Sequence, residues 1–170
     1  MENYLRVVIM KRSKLERNIE ISAWILASLM LLKFVPKNRI REASLAFLFL
    51  QLITWIFGLA VVEKNLIKYP SRLFFSKSDK GSFTFEYFVY PAICAVFNLH
   101  YPEKSNFFIK FFHFFFYTSV ITICEIFAVK YTNLIKYKNW NVYYSYITLW
   151  TTFYFSRIFY RWFFKLNSND

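Results

Sequence analysis

The sequence predicts an all-α fold: a transmembrane helical bundle of about five spans, in which a tandem parallel two-helix repeat follows an N-terminal anchor helix. Three observations predict it. The 170 residues are 57% hydrophobic and 24% aromatic, with 23 Phe, 13 Tyr and only two Gly, an apolar share beyond that of ordinary water-facing domains. The apolar residues gather in windows near the ~20 residues that a helix needs to cross a bilayer. The pentapeptide NLIKY occurs twice, at 65–69 and 133–137.

Taken in order, residues 1–18 form a basic lead that carries Arg6, Lys11, Arg12, Lys14 and Arg17 beside an apolar cluster, a composition suited to an anionic lipid surface. The spans then fall at about 19–35, 43–62, 82–98, 106–129 and 142–160, which makes 19–165 one transmembrane domain and 166–170 a tail. The first span is read as an uncleaved anchor. Lys33 bounds its apolar run and no small-x-small cleavage site follows. Basic segments such as PKNRIRE and KYTNLIKYKNWN separate the spans.

The pentapeptide is the tail of a longer match. ITWIFGLAVVEKNLIKY at 53–69 lies over ITICEIFAVKYTNLIKY at 121–137 without a gap, and nine of the seventeen positions are identical. Each copy starts inside a span and ends in the loop after it. The repeating unit is therefore helix, loop, helix, both copies run in the same direction, and both NLIKY loops emerge on one face.

Polar groups within the spans mark the candidate site. Beyond Glu20 at the very start of the first span, Glu86 and Glu125 are the acidic residues that fall inside spans, where a charged carboxylate is costly unless paired, protonated or wetted. Both are expected about 6 Å below the same face. Thr118 and Thr122 share a helical stripe with Glu125. Tyr69, Asn133, Tyr137 and Trp140 hang over that end, and together these eight residues outline a shallow polar pocket. Its chemistry would be a proton-sensitive or cation-binding carboxylate pair; a purely structural pair of hydrogen-bonded acids is the alternative.

Other features read as structural. His113 in the Phe-rich run is expected to pack with one hydrogen bond, Cys94 and Cys124 to be small buried residues, and His100 with Glu103 to form a solvated turn. The chain shows no glycine-rich phosphate loop, no Cys-x-x-Cys, no His-Glu-x-x-His and no nucleophile elbow, so neither a cofactor nor a metal is expected. Its net charge of +12 comes from residues spread along the whole chain, which disfavours nucleic acid as the partner.

Several motifs carry a resemblance. EYFVYP at 86–91, YPEKS at 101–105 and above all EIFAVKYTNLIKYKNWNVYYSY at 125–146 resemble those of small, uncharacterised multi-pass membrane proteins of bacilli and clostridia. The resemblance implies an integral protein of the bacterial cytoplasmic membrane and carries no reaction or ligand with it. The function expected is a non-enzymatic membrane component that binds a protein or lipid partner, with membrane lipid the first partner expected and a protein partner or a homodimer the others. A small proton-coupled carrier and an intramembrane lipid-modifying enzyme are the alternatives.

Overall fold

The computed structural model describes residues 2–71 and 82–165, with side chains from Lys14 onward. The Lys-rich stretch at 77–80 and the tail 166–170 lie outside the described residues. The described residues form five α-helices and one two-stranded ladder: α1 (Glu2–Phe34), α2 (Ile40–Glu63), β1 (Ile67–Lys68), α3 (Tyr90–Leu99), α4 (Phe107–Tyr131), β2 (Lys136–Tyr137) and α5 (Val142–Phe163).

Local chemistry sets several boundaries. Pro36 sits in extended backbone and a short 3-10 turn at Lys37–Arg39 leads into α2. Asn106 and Asn141 start α4 and α5: their side-chain oxygens accept from the backbone N–H of Ile109 and Tyr144, at 3.0 and 3.1 Å, and so satisfy donors that a helix start leaves open. Thr132 closes α4 by donating its hydroxyl to the Ala128 carbonyl at 2.6 Å. Asn65 takes a left-handed conformation, with φ of 52°, that Asn tolerates better than most residues.

A wide π turn at Phe85–Val89 precedes α3. Pro91 lacks the N–H that would bond four residues back, and its ring crowds that carbonyl, so the helix widens by one residue here. The extra residue rotates Glu86 by about 100° relative to an unbroken helix.

Helix α3 is the axis of the fold. It is buried along nearly its whole length, at Tyr90, Pro91, Ala92 and from Cys94 to Leu99, and α1, α2 and α5 all pack against it. Phe97 stands at the centre of an aromatic cluster, with ring centroids 5.0 Å from Phe114, 4.6 Å from Phe153 and 5.4 Å from Tyr117. Leu50, Tyr90, Cys94, Ile121 and Leu149 complete this core.

The structure corrects the expected five-span bundle. Among the described residues two helical segments, Lys37–Glu63 and Phe107–Tyr131, are long and apolar enough to cross a membrane, each with 22% of its apolar window buried. The expected third span is instead a short, broken helix at the middle of the molecule. The expected fifth carries buried Ser145, Thr152, Ser156 and Arg157. Beside the apolar core, buried hydrogen bonds and an ion pair tie the helices of a small domain together.

The tandem two-helix unit is corrected as well. The segment after β1 leads to a π turn and the ten-residue α3, whereas that after β2 leads to a single helix of 22 residues. The two NLIKY segments are therefore not the loops of equivalent units. They pair with each other, antiparallel, with Ile67 opposite Tyr137 and Lys68 opposite Lys136.

Candidate functional site

The ladder brings two distant segments together and sets a tyrosine from each above an acid. Strand periodicity points alternate side chains to opposite faces, so Lys68 and Lys136 are exposed while Ile67 is buried and Tyr69 and Tyr137 are partly covered. The Lys138 N–H donates to the Leu66 carbonyl at 2.9 Å and the Ser71 N–H to the Asn133 carbonyl at 3.2 Å, extending the pairing on both sides.

Beneath it the sequence-predicted residues converge in two groups. Tyr137 and Ser145 both donate their hydroxyls to Glu125 Oε1, each at 2.7 Å. Trp140 donates its indole N–H to Ser145 Oγ at 2.8 Å. One carboxylate oxygen thus receives two hydroxyls while the indole steadies one of them. In the other group Tyr69 is hydrogen-bonded to Glu86 and lies within electrostatic reach of both Glu86 and Glu125. The Glu86 backbone carbonyl accepts from Thr54 Oγ1 at 2.7 Å.

Glu86 is buried, at 7% exposure, and rests on Gly58. A Cβ at position 58 would stand 2.6 Å from the carboxyl carbon of Glu86, nearer than non-bonded atoms approach. The missing side chain of one helix makes room for the acid of the next.

Glu125 titrates in an environment of opposed influences. Burial lifts its carboxyl above the ordinary carboxylate range, and the hydroxyls of Tyr137 and Ser145 pull it part of the way back. Burial also raises the phenols of Tyr69 and Tyr137, with the neighbouring carboxylates adding to the rise. Both tyrosines are therefore neutral donors at ordinary pH.

The remaining expected site residues have narrower roles. Thr122 donates to the Thr118 carbonyl at 2.9 Å, and both threonines are buried within the helix packing. Asn133 joins through its backbone, its N–H donating to Glu16 Oε1 at 2.7 Å. This ties α1 to the ladder. Ser145, Gly58 and Glu16 were not among the expected site residues. Ser145 stands in the Tyr-Ser pair of the resemblance motif, and Gly58 is one of only two glycines.

A second polar cluster lies at the opposite end of α3. Arg157 pairs with Glu103, donates to the Asn98 carbonyl at 3.1 Å and stacks over the Tyr101 ring at 4.2 Å. Asn98 donates to Ser156 Oγ at 2.9 Å, and Ser156 meets Cys94 Sγ at 2.9 Å. Burial pushes the Cys94 thiol up to about 12, leaving it protonated and unreactive. The expected solvated turn at Glu103 is thus corrected to an ion pair with α5. Cys124 is exposed rather than buried, while His113 makes a hydrogen bond to the Phe97 carbonyl at 3.1 Å. Among the described residues no three His, Cys, Asp or Glu side chains are grouped to hold a metal ion.

Comparison of the chain with protein-family models, with curated proteins and with solved structures gave no match. The resemblance to small multi-pass proteins of bacilli and clostridia is not upheld, because the domain formed here is not the multi-pass bundle that it implies. With that bundle go the bacterial-membrane localisation, the lipid, protein-partner and homodimer expectations tied to it, and the membrane-component, carrier and intramembrane-enzyme readings.

Proposed function

We propose that this protein is a non-catalytic, proton-responsive helical domain whose titrating group is Glu125, one of the two acids beneath the NLIKY ladder. The observation that supports this most directly is the setting of Glu125, where two hydroxyls converge on one carboxylate oxygen in a partly dehydrated site. Proton binding there alters the bonds that hold Tyr137, and Tyr137 belongs to the ladder.

The physical sequence is short. At low pH the carboxyl is neutral and its burial costs little. As pH rises through its elevated pKa, a charge develops in a site with limited solvation, and two hydroxyls offset only part of that cost. The segment best able to yield is the two-residue ladder, which is marginal on its own. Tyr69, within reach of both acids, extends the effect to the Glu86 side.

Amide hydrogen exchange tests the reading. The Lys138 and Ser71 amides, which close the ladder, should lose protection as pH rises, beyond the intrinsic pH dependence of exchange. In Glu125→Gln their corrected protection should be flat with pH. The same corrected profile in both proteins contradicts the proposal.

A further inference from the structure

The outer face of the ladder poses a problem that its inner face does not. Lys68 and Lys136 are directly opposed in the register, so their Cβ atoms are about 5 Å apart, and like charges so placed destabilise a pair of strands. Both are exposed, and among the described residues neither has a carboxylate partner. Lys64 ends α2 just before β1, and Lys138 follows β2 with its backbone bonded to Leu66. Both are exposed. The acidic residue in these segments is Glu63, exposed beside Lys64.

The two further lysines lie on one side of the opposed pair: Lys138 stands opposite Leu66, and Lys64 precedes that residue in the chain. Ammonium groups act on phosphate as compact point charges, and two of them on flexible stems can close on one tetrahedral anion. A single divalent phosphate group between Lys68 and Lys136 would turn their repulsion into a shared attraction. A short chain of phosphates would also bring Lys64 and Lys138 into reach.

We propose that this face binds a free oligophosphate, with one phosphate group held between Lys68 and Lys136 and its neighbours met by Lys64 and Lys138. The inference stands on the lysine register and does not depend on the titration of Glu125 below.

Titration calorimetry of the purified chain with tripolyphosphate tests it. Binding should be measurable at low salt and weaken as salt is raised. The Lys68→Gln/Lys136→Gln double variant should bind at least tenfold more weakly, Lys68→Arg/Lys136→Arg should retain binding, and Lys37→Gln, beyond the other end of α2, should match the parent. Thermal melts of each variant establish that it is folded. Absence of binding by the parent at low salt overturns the proposal, as does undiminished binding by the folded double glutamine variant. Displacement of tripolyphosphate by a short duplex DNA at far lower concentration also overturns it, because the surface would then be a nucleic-acid face.

Discussion

Gly58 is the seat of Glu86: a methyl group at position 58 would fall 2.6 Å from the carboxyl carbon of the buried acid. The carboxyl end of Glu86 would have to shift within a buried site, so Gly58→Ala should destabilise the fold by about 1 kcal/mol, the low end for overpacking, despite the better helix propensity of Ala. Denaturant unfolding measures it. In a double-mutant cycle with Glu86→Ala the two changes should be non-additive by about 1 kcal/mol or more, because the smaller residue relieves the collision. An additive result would mean that the two positions do not touch.

The titration of Glu125 sets a direction for stability. Its carboxyl is raised in the folded state, so between its ordinary and elevated pKa the folded chain binds more protons than the unfolded one. Stability consequently falls as pH rises through that window and levels off above it. Glu125→Gln should remove this slope, as followed by melting temperature across the acidic to neutral range. A slope that survives in Glu125→Gln assigns it to another group.

Breaking the ion pair at the far end of α3 should be costly. Arg157 is largely buried and Glu103 partly exposed, so Glu103→Gln leaves a desolvated guanidinium without its counter-charge. The expected loss is about 2 kcal/mol, below that for a fully buried pair. Chemical denaturation reads it, and a loss under a few tenths of a kcal/mol would place the pair in solvent.

The two cysteines should separate by reactivity. Cys94 is fully buried with its thiol pushed up to about 12, and Cys124 is exposed. A thiol reagent should modify one cysteine quickly in the folded protein and the second only on unfolding. Rapid modification of both would contradict the packing around Ser156 and Asn98.

How far these features could be read from the sequence depended on the kind of interaction. Helices α2, α4 and α5 were legible because long apolar runs bounded by Asn, Pro or basic residues have few alternatives. That Glu125 and the NLIKY tyrosines lie at one end was legible from counting along helices. The bundle was misread because length and apolarity do not distinguish an outward face from a buried one. Large apolar side chains such as Leu32, Phe108 and Trp162 do lie on the outside of the helices, while the span assigned to 82–98 became the broken central helix. The pairing of the two pentapeptides was invisible because register between distant segments is a tertiary property. The same holds for Glu103, whose partner Arg157 is 54 residues away in the chain.

The most direct measurement is the titration of the Glu125 carboxyl carbon by NMR in the parent chain and in Tyr137→Phe. Burial should place its midpoint above that of an ordinary glutamate, and removing the Tyr137 hydroxyl, which favours the carboxylate, should raise it further. An ordinary midpoint that is the same in both proteins would contradict the account.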